Sequence, residues 1–256
     1  MCGRFFGGGL PEWDELPEPM RCDEVRRYYR LLAQKRGQLA IKRAFDIYAS
    51  ALLLAALSPV MAAAAVAVCA GSKGGALFRQ RRVTQGGRVF EILKLRTMYK
   101  AGTVGAGALV TAGGDARITR VGKVLRRLRI DELPQLINVL AGDMTLVGTR
   151  PEVERFVKEY TPEMLATLLL PAGMTSAASV RFRNEEELLK GSENPEREYA
   201  GRLLPEKMRL NLNYLRRFSL ITDAEIIVET IAAAARLAAD GLKLKERKKR
   251  YASSRL

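Results

Sequence analysis

Four stretches of the chain have patterns of apolar and polar residues regular enough to predict structure. Residues 47–70 carry no charge and are rich in Leu, Ala and Val. As a helix this run extends about 36 Å, enough to cross a bilayer core. Residues 78–98 alternate apolar and polar side chains around Gln85-Gly86-Gly87, which reads as a β-hairpin whose second arm carries Phe90, Ile92, Lys94 and Arg96. Leu133, Leu136, Ile137 and Leu140 recur at helical spacing, with Pro134 in the first turn and Gly142 as the stop, and predict a short helix buried along that stripe. Residues 205–239 read as a long helix, strongly apolar on one side over 224–237. The expected fold class is α+β, mainly helical, with one membrane helix, a small β-hairpin and interfacial amphipathic helices.

The flanks of the apolar run change its meaning. Arg26, Arg27, Arg30, Lys35, Arg36, Lys42 and Arg43 precede it, and Lys73, Arg79, Arg81, Arg82 and Arg88 follow it. A spanning helix normally has its basic excess on one side only. Ser58-Pro59 sits at the middle of the run, where proline removes a backbone hydrogen bond and a serine hydroxyl can occupy the freed carbonyl. A re-entrant helix-break-helix that enters and leaves by one leaflet is therefore preferred to a kinked span. It is no signal peptide, because it begins too late and runs too long.

Charge and composition narrow the chemistry. A formal net charge of +15 over 256 residues implies an anionic partner: nucleic acid, nucleotide or an anionic phospholipid membrane. Histidine is absent, which removes Ser-His and Cys-His nucleophiles and imidazole bases and ligands. Cys2, Cys22 and Cys69 are scattered and form neither a disulfide framework nor a CxxC site, which fits a reducing compartment. Residues 102–114 are glycine-rich without the lysine of a Walker loop and read as a mobile loop. A basic tail, Lys243, Lys245, Arg247, Lys248, Lys249 and Arg250, suits an anionic leaflet, each charge contributing on the order of 1 kcal/mol before screening. Nucleic acid is not the expected partner, since the run lacks interleaved aromatics or a recognisable module.

Candidate chemistry centres on Asp131 and Glu132, adjacent carboxylates at the start of the predicted helix and directly after Arg117, Arg120, Lys123, Arg126, Arg127 and Arg129. Asp131 reads either as an N-cap or as a reactive group. As an N-cap it is poorly equipped, because the N3 position is Pro134, which has no N–H to donate. The same tetrapeptide at Asp14-Glu15-Leu16-Pro17 lacks the apolar stripe and is read as coincidence. Basic residues beside an acidic site can neutralise a diphosphate.

Taken in order, these motifs resemble the bacterial sugar transferase family, the monotopic polyprenyl-phosphate phosphoglycosyl transferases. The resemblance covers residues 41–231. It rests on Lys42-Arg43-Ala44-Phe45-Asp46, Ser58-Pro59, Phe78-Arg79-Gln80, Lys94-Leu95-Arg96-Thr97-Met98 and Asp115-Ala116-Arg117-Ile118-Thr119. It continues through Asp131-Glu132-Leu133-Pro134-Gln135, Gly142-Asp143-Met144 and Arg150-Pro151. It implies a ping-pong reaction at the cytoplasmic face of the bacterial inner membrane, with Asp131 as nucleophile toward a nucleotide-diphosphate sugar, usually a UDP-sugar, and polyprenyl (undecaprenyl) phosphate as acceptor. Glu132 is implied as the Mg²⁺ ligand or as an aid to the incoming phosphate. Arg126 and Arg150 are implied in the phosphate-binding region, with Lys94, Arg96 and Arg117 as further phosphate-binding candidates. A positive helix N-terminus is expected to keep Asp131 ionised.

The implied organisation is an N-terminal extension (1–38), a re-entrant membrane helix (39–73), a cytoplasmic catalytic domain (74–240) and a basic tail (241–256). Within the extension the first twenty residues are expected to form no core, and 23–36 a basic helix lying on the membrane. Departures from the family pattern at Arg129, Thr149 and 174–177 lie around the expected donor pocket and bear on sugar identity. A homo-oligomer is left open as a partner. The alternative reading is a non-catalytic, basic membrane-associated scaffold or nucleic-acid binder.

Overall fold

The computed structural model describes residues 9–99 and 115–253, with side chains of the last helix described through 236. The glycine-rich stretch 102–114, part of the N-terminal extension and the side chains of the basic tail lie outside the described residues. In chain order the elements are α1 (Asp23–Ala33), α2 (Arg36–Gly71), β1 (Leu77–Val83), β2 (Val89–Leu95), α3 (Arg120–Leu128), α4 (Gln135–Ala141), β3 (Met144–Val147) and α5 (Glu154–Val157). Then come β4 (Ala172–Thr175), α6 (Ala177–Arg181), α7 (Glu185–Leu188), α8 (Pro195–Glu198), α9 (Leu204–Arg217) and α10 (Leu220–Ser253). The chain is mainly helical with a small antiparallel hairpin, as the pattern implied, and among the described residues it has a second two-stranded sheet.

The hairpin forms where alternation predicted it. β1 and β2 pair antiparallel from Leu77↔Leu95 to Val83↔Val89, and the turn Gln85–Gly87 places Gly86 and Gly87 at φ 63° and 74°, which glycine adopts without steric cost. A second pair was not legible in the sequence: β3 and β4 run parallel, with Met144 opposite Ala172 and Val147 opposite Thr175. Each contributes only four residues, too few for alternation to register.

Helix α2 holds the apolar run and is, among the described residues, the one helix long and apolar enough to cross a membrane. The two half-helices expected around Ser58-Pro59 are one continuous helix. The Ser58 hydroxyl donates to the Ala55 carbonyl at 2.9 Å, the group that Pro59 cannot satisfy, so the helix passes through its proline. Both flanks of α2 pack on the same body. On the N-terminal side Leu39, Lys42, Asp46 and Ser50 are buried, and on the C-terminal side Ala64 and Val68 pack with Leu95 and Leu125. Between them, residues 51–63 bury no side chain.

The N-terminal flank is fixed by charge as well as by packing. Lys42 Nζ donates to Asp223 Oδ2 at 2.6 Å, while the Tyr214 hydroxyl donates to Asp223 Oδ1 at 2.7 Å. Arg43 donates to the carbonyls of Val139 and Leu140 at the end of α4, and Asp46 accepts from Thr145 Oγ1 and the Leu146 N–H. These buried pairings of Lys42, Arg43 and Asp46 hold one register of α2 against α4, β3 and α10.

Three expectations need correction. The first twenty residues do contribute a core: Leu10, Leu16 and Met20 are buried in the same cluster as Leu39, Leu169 and Phe218. In the same cluster α1 buries Val25, Tyr28 and Leu32, so this helix packs its apolar face on protein. The long C-terminal helix breaks at Phe218, where the backbone turns extended (φ −46°, ψ 126°) around a fully buried ring and the Lys35 ammonium donates to the Phe218 carbonyl. Helix α3 is amphipathic, with Leu125 buried while Val124 and Leu128 remain exposed beside Arg120, Lys123 and Arg127.

Candidate active site

A cavity of about 1550 Å³ opens between the exposed inner side of α2 and the carboxylate pair. Phe45, Ala49, Leu53 and Leu57 of α2 form an apolar wall, and Asp131, Glu132, Lys94, Arg126 and Arg150 line its polar floor. Three local devices assemble that floor. Gly122 lets α3 press against the strand extension, since a Cβ there would lie 2.1 Å from the Thr97 carbonyl oxygen. Arg129 ends α3 in the left-handed region (φ 57°, ψ 19°), reversing the chain directly into the turn Ile130–Glu132. After β3 the Gly148 N–H donates to the Thr175 carbonyl at 2.9 Å and the Thr149 carbonyl accepts from the Gly173 N–H at 2.7 Å, which ties the segment leading into Arg150 to β4.

Asp131 is not a helix cap. It lies within the 3₁₀ turn Ile130–Glu132, α4 begins only at Gln135, and no side-chain capping bond is made at either start. Its Oδ1 is buried without a hydrogen-bond partner. The expected stripe is also rotated: Gln135, Leu136 and Val139 are buried with Glu132, whereas Ile137 is 44% exposed. Packing of α4 against α2 and β2 turns the polar Glu132–Gln135 edge inward, something periodicity of apolar residues alone cannot register.

Electrostatics separate the two carboxylates. Glu132 accepts from Arg150 Nη2 at 2.5 Å and Nη1 at 3.3 Å and from Lys94 Nζ at 3.2 Å, with Arg129 Nη1 at 3.6 Å. Burial alone would push its carboxyl up, but Arg150, Lys94 and Arg129 hold it well below the usual range. Arg150 is raised in turn, chiefly by Glu132. Asp131 moves the other way. Burial, and then the neighbouring Glu132 charge, raise its carboxyl above the ordinary value, with Lys94, Arg126 and Arg129 pulling only partly back. The expected helix-dipole assistance is absent, since α4 has only seven residues and starts beyond Asp131. Burial also lowers Lys94, with Glu132 opposing.

The remaining sequence candidates divide. Arg126 stays at the cavity, donating from Nε to Thr97 Oγ1 at 2.9 Å and from Nη1 to Glu186 at 2.8 Å. Arg117 lines the same cavity and pairs with Asp115 at 2.6 Å. Arg96 departs from expectation. Its guanidinium donates to the carbonyls of Ser72, Lys73, Gly74 and Gly75, so its donors are spent closing the exit of α2 rather than facing phosphate. Ser58 and Pro59 lie in α2, away from the carboxylates. Sequence reasoning missed Arg82, Glu152, Tyr199 and Lys207, which the fold brings to the cavity from β1, the segment after β3, and the π turn and helix before and within α9. No motif spacing links them.

Among the described residues, no group of three or more His, Cys, Asp or Glu converges as a metal cage. The donor set suits a hard cation held by one carboxylate and by phosphate oxygens, the usual mode of Mg²⁺. Glu132, the ligand expected from the sequence, is paired with Arg150 and Lys94 in this structure.

Residues 37–236 match the profile of the family described as bacterial sugar transferase. The chain belongs to that family. Among its relatives, a UDP-glucose:undecaprenyl-phosphate glucose-1-phosphate transferase of Caulobacter vibrioides is 40% identical over 193 residues, covering 74% of this chain and 68% of that protein. A UDP-N-acetylgalactosamine-undecaprenyl-phosphate N-acetylgalactosaminephosphotransferase of Aeromonas hydrophila is 48% identical, over 48% of this chain and 29% of that protein. The exopolysaccharide production protein PSS of Rhizobium leguminosarum bv. phaseoli is 33% identical over 76% of this chain and 95% of its own length. This chain thus spans under a third of the Aeromonas protein and nearly all of the Rhizobium one. The Caulobacter relative is named for glucose and the Aeromonas relative for N-acetylgalactosamine.

Proposed function

We propose that this bacterial sugar transferase moves a sugar-1-phosphate from a UDP-sugar to polyprenyl phosphate, an initiating step of glycoconjugate or exopolysaccharide synthesis. The observation that carries the reading is the buried, unpartnered Asp131 oxygen at the floor of a cavity whose other wall is the apolar helix. A carboxylate oxygen left without a donor is poorly solvated and correspondingly reactive. In the first half-reaction an Asp131 oxygen attacks the β-phosphorus, forming an acyl phosphate as the bond to the bridging oxygen breaks and UMP leaves. In the second, a phosphate oxygen of the polyprenyl phosphate attacks the same phosphorus and the Asp131 carboxylate departs. Phosphoryl transfer needs positioned charge more than special side chains, and Lys94, Arg126 and Arg150 supply it.

Glu132, with its depressed pKa, stays ionised and anchors Lys94 and Arg150 on the phosphates. Glu132 is the residue that would hold a Mg²⁺ here, and the ion would supply further positive charge for the leaving phosphate. Arg117 serves the same phosphate end of the cavity. The organisation that fits this chemistry is a membrane segment at 39–73 whose continuous helix bends at Pro59 and returns to one leaflet, a cytoplasmic catalytic domain at 74–240 and a basic tail at 241–256, at the cytoplasmic face of the inner membrane. Packing of both flanks of α2 on one body supports a return to one leaflet, and the wall of Phe45, Ala49, Leu53 and Leu57 gives a polyprenyl chain an apolar path to the site.

Purified protein with Mg²⁺, a panel of UDP-sugars and undecaprenyl phosphate is expected to release UMP, and Asp131→Asn to abolish that release. Inactivity of the wild type across the panel, with tight RNA binding, would sink the reading in favour of a basic scaffold.

A further inference from the structure

A second part of the cavity lining, an arm made of Arg82, Glu152, Glu185, Tyr199 and Lys207, has a different charge balance. On the floor, three cations converge on Glu132. In the arm, Arg82 and Lys207 face Glu152 and Glu185, two charges of each sign. Lys207 Nζ donates to Glu185 Oε2 at 3.0 Å and to the Tyr199 hydroxyl at 2.8 Å, and lies 3.5 Å from Glu152 Oε1. The Tyr199 hydroxyl donates to Glu152 Oε1, and Arg82 Nη1 stands 3.8 Å from Glu152 Oε2. Lys207 and Tyr199 are 4% and 3% exposed. Replacing such a buried ionic cluster by apolar residues is often neutral or stabilising, so stability alone is a weak reason for it to line a cavity.

Resting on the transferase reading, we infer that this arm holds the hexose of the donor, with Glu185, whose side chain keeps 28% exposure, as the specificity-determining residue that accepts from its hydroxyls and Lys207 as the residue that positions Glu185. Charge assigns the occupant: a dianionic diphosphate belongs on the cation-rich floor, while a balanced set of donors and acceptors matches neutral hydroxyls, each of which both donates and accepts. Connectivity agrees. The sugar is bonded to the phosphate that Asp131 attacks, and the arm begins at Glu152, two residues beyond Arg150. The uracil does not fit there, because Lys207 already lies over the Tyr199 ring at 4.7 Å and Phe156 packs against it at 4.9 Å, leaving no open aromatic face for a base. The relatives named for glucose and for N-acetylgalactosamine leave the sugar open within the family.

The test compares kcat/KM for UMP release from UDP-glucose, UDP-galactose, UDP-N-acetylglucosamine and UDP-N-acetylgalactosamine, together with the inhibition constant of UDP, in the wild type and in Glu185→Gln. Losing a charge-assisted hydrogen bond to one hydroxyl should change the ratio between the best and second-best donors by about ten- to a hundredfold. The inhibition constant of UDP, which lacks the sugar, should stay within about twofold. A melting temperature equal to wild type checks that the variant folds; if it does not, Tyr199→Phe, which removes only the hydroxyl that ties the cluster together, takes its place with the same readout. Unchanged donor ratios, or UDP affinity falling in step with the donors, would overturn the inference while leaving the transferase reading intact. A wild type that releases no UMP from any donor overturns both.

Discussion

Glu132→Gln tests the division of labour between the two carboxylates, because it removes one negative charge from beneath three cations without changing the side chain's shape. Breaking a well-buried ion pair costs about 3–5 kcal/mol. Here the side chains of Arg150 and Arg129 keep 26% and 45% exposure and can recover hydration, whereas Lys94 keeps 19%. That places the expected loss nearer about 2–3 kcal/mol, or roughly 5–10 °C in melting temperature for a chain of this size. The loss should depend on pH with a definite sign. Glu132 has its pKa depressed on folding, so its contribution is fully present above the unfolded value of about 4.3 and disappears as pH falls through the folded one. The gap between wild type and variant should therefore close on acidification.

Asp131 behaves oppositely. Its pKa is raised on folding, so its ionisation costs stability as pH rises through the window above the unfolded value of about 3.9. Glu132 is one of the two causes that raise it, after burial. In Glu132→Gln the acid limb of kcat/KM for UMP release, which reports the free enzyme's nucleophile, should move to lower pH even as the rate falls. Melting curves in detergent at several pH values and the pH profile of residual UMP release measure both effects. An acid limb that stays put or moves upward, or a stability gap that widens in acid, would refute the assignment of opposite pKa shifts to the pair.

Two further outcomes follow from geometry. Gly173→Ala places a Cβ 2.1 Å from the Gly148 carbonyl oxygen and 2.3 Å from its nitrogen, backbone atoms that cannot yield without separating β3 from β4; melting should fall by the equivalent of about 1–3 kcal/mol, with a loss of UMP release as Arg150 shifts, and an unchanged melting temperature would contradict the packing. With native cysteines replaced, single cysteines at Arg36 and Lys73 should both react with an impermeant thiol reagent from the cytoplasmic side only; opposite-side labelling would leave a spanning helix in place of a re-entrant one.

Much of this protein was legible before any coordinates. Alternation around a glycine pair located the hairpin, because one face of a two-stranded sheet is buried and the other is not. An uncharged run with a central Ser-Pro located the long apolar helix and the bond from Ser58 to Ala55, since proline's missing N–H frees a predictable carbonyl. The absence of histidine directed attention to carboxylates, and adjacency marked Asp131 and Glu132. Arg96 shows where such reading stops. Its place in a motif among basic residues suggested phosphate, but the turn after α2 takes up its donors. The stripe on α4 failed for a related reason: Gln135 and Glu132 are buried polar residues, invisible to a search for apolar periodicity.

The sequence by itself therefore determined the hairpin, the long apolar helix, the available chemical groups and the likeness to the family, because backbone preference, charge and motif order are properties of neighbouring residues. Only the tertiary structure decided which groups act together. Lys94 from β2, Arg129 from the end of α3 and Arg150 from beyond β3 meet on Glu132 through strand pairing and the left-handed turn at Arg129. Glu152, Tyr199, Glu185 and Lys207 meet across separations of up to 55 residues. The opposed pKa shifts of Asp131 and Glu132 arise from that convergence, since burial and charge at a distance of a few ångströms depend on the fold and not on the order of residues along the chain.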